Sequence, residues 1–491
     1  MKYKWCSWST VAFSLLCLIQ PFAANAEPTP DHIKRALVQI FVESVARDDM
    51  RPWQVGGPTS STGSGVIIKG NRILTAAHVV DNAITIHVRK TGSDKRYSAV
   101  VEYIGDASDL AIVSVYDDTF FDGTSTLEIG SLPALGRSVT AWGFPQGGDQ
   151  VALTKGVVSR IDFSTYVHSG FENLICQVDA AINSGASGGA ALVDGKIVGI
   201  TFQSLSNDSA DDVGYIVPVP VIEQFLDDIG DGEVDGVPAI AMKTQEMRNR
   251  QLREFYRMPS GTGGLLVVES RGERQDEANA LRAGDVLQWI DGVPVGNDGT
   301  VPFQSGDRIN ADYLITRRQM GDTIPIRILR SGTEVTIDYT LKYTLRDIML
   351  VTRHYSGFIP DYEIVGGFIF QELNFDYVRN SFDENEYPDW MGESYSSHKD
   401  LWWGAREKAV IISSVLPDDV NAGYDEFEDR RVMRVNDVEV KNLDDLRRAV
   451  SENKSRFHVF EFEDPFGQIV LDRHLVEERA PIIKDQYMLS D

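Results

Sequence analysis

Residues 34–226 consist of short apolar runs separated by Gly, Asp, Asn and Ser. Residues 110–115 (LAIVSV), 139–142 (VTAW) and 196–200 (KIVGI) are typical of these runs. Strands of this length with regularly spaced turn residues predict an all-β barrel or sandwich. The region ends at residues 218–226, where a proline opens a short helix with apolar residues on one side. The sequence therefore predicts a mainly β first domain.

The rest of the chain predicts two copies of one small α/β fold. An acidic, glycine-rich run at residues 227–236 is predicted to be a solvated linker. Residues 237–345 and 355–480 both contain a glycine turn entering an apolar strand, followed by a strand, a tight turn and a second strand. In the second copy Asn442 is placed to cap a helix. An insert at residues 374–403, rich in aromatic and acidic residues, is expected to serve assembly or regulation.

The first 26 residues are predicted to be a signal peptide. Lys2 and Lys4 give a positive start, residues 11–19 form a short apolar stretch, and the small-x-small pattern at residues 24–26 (ANA) suits a signal peptidase. Export to the periplasm or exterior is therefore expected, with an uncleaved membrane anchor as the alternative. No later segment has about 18 uninterrupted apolar residues, so no stable membrane insertion is expected.

Composition narrows the possible partners. A formal net charge of −26 and a pI near 4.7 argue against nucleic-acid binding, because phosphates would be repelled. Removing Lys2 and Lys4 with the signal takes the charge from −26 to −28. Cys176 is then the remaining cysteine, and its apolar neighbours predict a buried core residue. No Cys/His cluster has metal-ligand spacing, so neither a metal nor another cofactor is expected.

Three motifs in one chain order carry the predicted chemistry. His78 follows Thr-Ala-Ala, Asp109 directly precedes the strand Leu-Ala-Ile-Val, and Ser187 lies in the turn at residues 183–190 (NSGASGGA). A serine hydroxyl needs an adjacent base to become a nucleophile, and a neutral imidazole suits that role. A buried carboxylate then holds the ring in the productive tautomer. We therefore predict a catalytic triad of these three residues.

The glycines beside the serine predict an oxyanion hole. They allow the backbone N–H groups from Gly185 through Ala186 to Ser187 to point at the place where negative charge develops. Each motif alone is more often structural than catalytic, and only their combination is specific. Of the other histidines, His87 lies in a predicted strand and His168 in a predicted loop, so neither is chosen as the base.

These motifs resemble the HtrA/Deg family of trypsin-like serine proteases with PDZ domains. Residues 141–149 (AWGFPQGGD) and 177–185 (QVDAAINSG) resemble its plant-type Deg branch and bacterial relatives in particular. The resemblance implies a two-barrel trypsin-like protease domain at residues 27–232 and PDZ-like domains at 237–345 and 355–480. It also implies ATP-independent cleavage of unfolded or damaged polypeptides, peptide termini as PDZ ligands, and homo-oligomers built from trimers.

The same resemblance assigns further site residues. The wall of the substrate side-chain pocket corresponds to Thr201, Phe202 and Gln203. Peptide docking in the first PDZ-like domain corresponds to Gly264, Leu265 and Leu266, where a peptide would add a strand. The chain departs from the family at Ala186, where Asn is usual, and at Ala190, where Pro is usual.

Two other functions remain open from the sequence. The first is a catalytically weak chaperone or peptide-binding scaffold, which Ala186 and the paired PDZ-like domains would suit. The second is a toxin-like protease with one narrow target. Cleavage-site profiling across a mixed proteome would separate narrow from broad cutting.

Overall fold

The structure of this protein is a computed structural model. It describes residues 29–145, 148–183, 185–205, 213–270, 279–349, 351–382, 388, 390–391, 408–463 and 467–489. The predicted signal peptide and most of the predicted insert lie outside the described residues. Within the described ranges, no helix is both long enough and apolar enough to cross a membrane.

The first barrel closes six strands in the order β1-β2-β3-β6-β5-β4. A closed sheet directs alternate side chains inward. The inward-facing side chains here include Ile40, Ile73 and Ile112, which are fully buried and form part of an aliphatic core. The helices here are α1 (Pro30–Ala36) and α2 (Ala77–Val80). The strands are β1 (Leu37–Ser44), β2 (Thr59–Ile68), β3 (Arg72–Thr75), β4 (Ala83–Lys90), β5 (Arg96–Gly105) and β6 (Leu110–Val115).

The second barrel closes six strands in the order β10-β11-β12-β9-β8-β7. Cys176 is fully buried in its core, as its apolar neighbours predict, and burial raises the pKa of its thiol to about 12. Helix α3 (Val219–Asp228) follows the barrel. The strands are β7 (Ser138–Gly143), β8 (Ala152–Thr165), β9 (Glu172–Val178), β10 (Ala190–Val193), β11 (Lys196–Leu205) and β12 (Val213–Pro218).

The first α/β unit is built on a sheet in which β14, β15, β16, β20 and β21 are neighbours in that order. Its short helices are α4 (Arg250–Phe255), α5 (Tyr313–Thr316) and α6 (Leu345–Ile348). Its strands are β13 (Pro238–Ala239), β14 (Met242–Glu246), β15 (Leu265–Ser270), β16 (Val286–Ile290), β17 (Val293–Pro294), β18 (Thr300–Pro302), β19 (Arg308–Asn310), β20 (Thr323–Arg330), β21 (Thr333–Thr340) and β22 (Tyr343–Thr344).

The second α/β unit has two small sheets, β23-β24-β25 and β27-β26-β28-β29. Its helices are α7 (Phe375–Ser381), α8 (Leu443–Ser451) and α9 (Arg473–Gln486). The Asn442 side chain caps α8 by accepting from the Asp445 amide at 2.9 Å. The strands are β23 (Tyr362–Val365), β24 (Phe368–Glu372), β25 (Val410–Val415), β26 (Val432–Val435), β27 (Val438–Glu439), β28 (Phe457–Phe462) and β29 (Gln468–Asp472).

The second α/β unit packs against the first barrel through the loop between β1 and β2. The Gln371 amide donates to the Asp49 carbonyl at 2.7 Å, and the Ser413 hydroxyl donates to the Met50 carbonyl at 3.1 Å. The rings of Trp53 and Tyr362 lie 5.5 Å apart. The C-terminal unit is therefore held close to the barrel that carries two of the predicted catalytic residues.

Candidate active site

His78 and Asp109 are brought together at one end of the first barrel. His78 lies in α2 directly after β3, and its Nδ1 lies 2.8 Å from Asp109 Oδ2. The His78 backbone N–H also donates to Asp109 Oδ1 at 2.9 Å. Asp109 is 2% exposed, so its carboxylate is shielded from water while it orients the ring. This is the arrangement that a carboxylate-supported imidazole base requires.

The backbone at Asp109 adopts a conformation that aspartate tolerates better than most residues. A one-turn 3₁₀ helix, Asp106–Ser108, ends at Asp109, whose φ of 48° and ψ of 44° are left-handed. The Asp109 carbonyl accepts from the Ala77 amide at 3.1 Å, which ties the turn to the start of α2. Asn and Asp visit this region most readily among residues with a Cβ. Backbone and side chain of Asp109 thus both fix the position of His78.

Ser187 lies in the second barrel, in the turn between β9 and β10. Gly188 has a φ of 81°, and a Cβ there would meet the Ser64 carbonyl and Thr75 Oγ1, each at 2.2 Å. Only glycine fits at this position. The Ser187 hydroxyl donates to the Phe202 carbonyl at 3.4 Å. In the part of the chain that the structure describes, no hydrogen bond joins this hydroxyl to the His78 ring.

The three backbone amides predicted to bind an oxyanion differ in their hydrogen bonds. The Ala186 amide donates to the Asn183 carbonyl at 2.9 Å, so the expectation that it points at an oxyanion is wrong. A tight turn satisfies this donor internally. The amides of Gly185 and Ser187 have no acceptor among the described residues, and Gly185 has a φ of 87°. These two N–H groups can therefore donate to an oxyanion.

Ser64 secures this loop from the first barrel. Its hydroxyl donates to the Gly185 carbonyl at 2.8 Å and accepts from the Phe144 amide at 2.8 Å. Its own amide donates to the Ser187 carbonyl at 2.9 Å. Ser64 was not predictable from the sequence, because nothing in its β2 neighbourhood distinguishes it from an ordinary strand serine.

The three residues predicted to form the pocket wall differ in their surroundings. Thr201 is 1% exposed, and its hydroxyl donates to the Ala186 carbonyl at 2.6 Å, so it supports the oxyanion loop. Phe202 is also 1% exposed, and its ring centroid lies 4.8 Å from that of Tyr166. Thr201 nevertheless lines a small cavity with Asn183 and Ala186, so its place in the pocket wall stays a prediction. The Phe202 side chain is instead packed in the core. The Gln203 side chain lies outside what the structure describes.

His168, which is predicted to be a loop histidine without a catalytic role, lies in the candidate site. Its ring is stacked on that of His78, with centroids 3.8 Å apart and an interplanar angle of 9°. Burial, reinforced by the charge of His78, lowers the pKa of His168 to about 4, although the charge of Asp109 opposes the shift. A neutral ring therefore covers one face of His78 at neutral pH. No local pattern distinguishes this histidine, because the contact depends on how β8 and β9 meet the first barrel.

His78, Asp109 and His168 also form a possible ligand set for a cation, since one ligand atom from each lies within 4.8 Å of the others. The nitrogen lone pairs of an imidazole lie in the plane of its ring. Because the two rings are stacked nearly in parallel, their lone pairs do not converge on one point. The geometry suits a hydrogen-bonded base better than a metal centre.

The peptide-docking prediction at Gly264, Leu265 and Leu266 is contradicted by strand pairing. Leu265 pairs with Glu246 of β14 on one side and with Leu287 of β16 on the other. Both edges of β15 are therefore occupied, and a peptide cannot add a strand there. A Cβ at Gly264 would lie 2.9 Å from the Leu287 carbonyl, so close packing accounts for this glycine. In the described part of the first unit, the edge strand on this side of the sheet is β14 instead.

Comparison with known proteins defines the class. The trypsin-like peptidase domain family matches residues 63–200, and the PDZ domain family matches residues 351–491. A variant of the HtrA-type protease AlgW, solved with a decapeptide, has a TM-score of 0.51 at 19% identity, over 67% of this chain and 97% of that chain. This likeness shows the fold. The protein is a serine endopeptidase of the trypsin-like fold with a PDZ domain.

Sequence relatives identify the family. The putative mitochondrial protease Do-like 3 of Arabidopsis thaliana is 38% identical over 85% of this chain and 72% of its own length. The chloroplastic protease Do-like 2 of the same plant is 35% identical over 92% of this chain and 73% of its own length. The chain belongs to the Do-like (Deg/HtrA) family of serine proteases.

Proposed function

We propose that this protein is an ATP-independent endoprotease that cleaves unfolded or damaged polypeptides with a triad of His78, Asp109 and Ser187. The observation that carries the proposal is the contact between His78 Nδ1 and the buried Asp109 carboxylate at 2.8 Å. The turn of Ser187 packs against the same barrel, because the Ser64 amide donates to the Ser187 carbonyl at 2.9 Å. Family membership supports the reaction class. The breadth of substrates follows from the family resemblance alone.

The mechanism needs one rearrangement before chemistry. The Ser187 hydroxyl, now directed to the Phe202 carbonyl, rotates toward His78 Nε2. His78 then accepts the hydroxyl proton while Ser187 Oγ attacks the scissile carbonyl, and Asp109 stabilises the imidazolium. The amides of Gly185 and Ser187 donate hydrogen bonds to the oxyanion. His78 returns its proton to the leaving amine, and water hydrolyses the acyl-enzyme by the same route in reverse.

The test compares wild type with Ser187→Ala on an unfolded substrate such as casein. We expect wild type to degrade casein without ATP and the variant to lose nearly all of this activity. Casein degradation by a clean Ser187→Ala preparation at the wild-type rate would contradict the triad. Folded substrate proteins serve as the control, since the proposal expects cleavage only when they are unfolded.

A second candidate is a peptide-binding scaffold with weak catalysis. It is favoured by the Ser187 hydroxyl bond to Phe202 rather than to the base. A fluorophosphonate probe distinguishes the two functions, because it reacts only with an activated serine. Rapid labelling at Ser187 supports the protease, and a folded chain that is never labelled supports the scaffold.

Peptide termini are proposed to dock on the edge strand β14 of the first α/β unit. Met242 and Thr244 on this strand are partly exposed, and β14 is the first strand in the order β14-β15-β16-β20-β21. In the second unit, part of the corresponding edge strand β23 is already engaged by a side chain of the same unit. Arg447 of α8 reaches over β23, donating to Asp361 at 2.6 Å and to the Tyr362 carbonyl at 2.9 Å.

Export and assembly complete the proposal. Residues 1–26 support cleavage after Ala26, and N-terminal sequencing of the mature protein, expected to begin at Glu27, tests it. The two relatives named above carry mitochondrial and chloroplastic names, so import into an organelle is the competing outcome. Homo-oligomers built from trimers follow from the family resemblance, and light scattering measures their mass.

A further inference from the structure

His354 lies between two carboxylates that belong to different parts of the chain. Its Nε2 lies 2.8 Å from Asp81 Oδ2, and its Nδ1 lies 2.7 Å from Asp376 Oδ2. The His354 side chain is 14% exposed. An ionised carboxylate can only accept hydrogen bonds, so both ring nitrogens of His354 must donate. The ring therefore carries two N–H protons and a positive charge. His354 is thus a largely buried cation that bridges two anions.

The surroundings favour this protonated form. Burial lowers the pKa of His354, but its hydrogen bonds to Asp376 and Asp81 outweigh burial and raise the pKa to about 10. For Asp81, burial acts to raise the pKa, yet the hydrogen bond from His354 holds it below its usual value. Among the described residues, the charged and titratable groups nearby include Asp106, Asp109, Arg346 and Arg379, with His78 and His168 in the same cavity.

One of the two anions belongs to the element that carries the proposed base. Asp81 is the C-terminal cap of α2, three residues after His78. Asp376 lies in the first turn of α7 in the second α/β unit. The His354 bridge therefore connects the C-terminal unit to the helix of His78.

The residues after His354 hold the turn that carries Asp109. The Ser356 amide donates to Asp106 Oδ1 at 2.9 Å, and the Gly357 amide donates to Asn82 Oδ1 at 3.1 Å. Asp106 begins the 3₁₀ turn, and its carbonyl accepts from the Asp109 amide at 3.1 Å. Residues 354–357, which lie outside the barrel, thus contact both the loop that follows the His78 helix and the turn that carries Asp109.

We propose that His354 is a positioning residue for proteolysis, acting through Asp81 on the His78 helix while its neighbour Ser356 holds the Asp109 turn. The proposal rests on the proposed function, since it assigns His354 a role in orienting that same base. A side chain from outside the two barrels thereby helps to set the geometry inside them. Both ring nitrogens of His354 are engaged by carboxylates of the chain, so its removal should slow the chemical step through Asp81 and leave substrate binding unchanged.

The test is a comparison of His354→Gln with wild type in the full chain. Glutamine retains hydrogen-bonding groups and removes the charge. We expect kcat for a peptide substrate and the rate of fluorophosphonate labelling of Ser187 to fall about tenfold, with KM unchanged. Asp376→Asn, which leaves every protease-domain residue intact, should lower both rates about threefold. Circular dichroism and melting temperature establish that each variant is folded.

The matched control is His458→Gln, in the same α/β unit. His458 is 3% exposed, and in the described contacts its ring forms hydrogen bonds only with Asn436 and Asn453. It should lower the melting temperature while leaving kcat and labelling unchanged. A double variant, Asp81→Asn with His354→Gln, should be no slower than the slower single variant, because both act through one contact. The positioning role of His354 would be overturned if folded His354→Gln kept the wild-type kcat and labelling rate. It would also be overturned if the His458→Gln control lost as much of both. Absence of labelling in wild type would instead refute the proposed function, and the positioning role with it.

Discussion

The two barrels hold their parts of the candidate site in different ways. In the first barrel, His78 and Asp109 are joined through both a side-chain and a backbone donor, and Asp109 is 2% exposed. In the second barrel, Ser187 lies on a loop, and its hydroxyl bonds to the Phe202 carbonyl at 3.4 Å. The proposed base is therefore oriented by its barrel, whereas alignment of the proposed nucleophile depends on a loop. Catalytic activity should be more sensitive to changes in the loop that carries Ser187 than to changes in the surrounding strands.

The largest expected effect comes from the first barrel. Asp109→Asn should lower kcat by about 10⁴, because an amide stabilises the wrong imidazole tautomer and cannot balance the imidazolium charge. Steady-state kinetics with a peptide substrate measure it. Asp117→Asn, which changes a surface aspartate whose side chain is 47% exposed, serves as the control and should retain full activity. A loss below tenfold for Asp109→Asn would mean that the pair does not support catalysis.

Gly188→Ala tests the loop directly. A Cβ would meet two oxygens at 2.2 Å, and the left-handed backbone adds roughly 1–2 kcal/mol of strain. We expect loss of activity and a clear fall in the free energy of unfolding, measured by urea denaturation. Gly92→Ala is the matched control, since Gly92 has a φ of 75° and nothing within 4 Å of its added Cβ. Equal destabilisation by both changes would show that backbone strain alone, without the clash, explains the glycine.

A smaller effect is expected from Thr201→Val. This change removes the hydroxyl that donates to the Ala186 carbonyl at 2.6 Å. A buried hydrogen bond of this kind contributes about 1 kcal/mol, and kcat should fall about tenfold as the oxyanion loop loosens. Thr201→Ser keeps the hydroxyl and should retain most of the activity. If valine and serine behave alike, the hydroxyl does not hold the loop.

The last effect concerns stability as a function of pH, and it leaves the chemical step aside. The pKa of His354 is about 10 in the folded chain against an ordinary value of 6.5, so its stabilisation is complete below pH 6.5 and is lost as pH rises toward 10. Between about pH 7 and 8.5 the free energy of unfolding should therefore fall with pH, and His354→Gln should flatten this slope. Burial raises the pKa of the Cys176 thiol to about 12, so Cys176 adds a slope of the same sign as pH approaches 9, and His354→Gln leaves that part unchanged. An unchanged slope in the variant would show that His354 is not protonated in the folded chain.

The β-rich fold was predictable because its signal is local. Apolar runs such as β6 (Leu110–Val115), in which five of six residues are buried, are bounded by turn residues that leave few alternatives. The order of the motifs then indicated His78, Asp109 and Ser187. Local chemistry also sufficed for Cys176 and for the Asn442 cap.

Contacts between distant elements were not predictable in the same way. Phe202 is predicted to line a pocket wall, but whether the side chain of a strand residue faces inward depends on register, and that of Phe202 is buried. Strand pairing likewise decides that β15 is closed on both sides. His168 and His354 act only through partners far away in the chain, so no spacing in the sequence reveals them.

The most direct test of the account is a crystal structure of the protein with a peptide phosphonate on Ser187. We predict that Ser187 Oγ lies about 2.6–3.2 Å from His78 Nε2, with Asp109 still on Nδ1 and the phosphonyl oxygen bound by the amides of Gly185 and Ser187. An unmodified Ser187, or a modified one whose oxygen remains out of reach of His78, would contradict the claim that the two barrels form one catalytic unit.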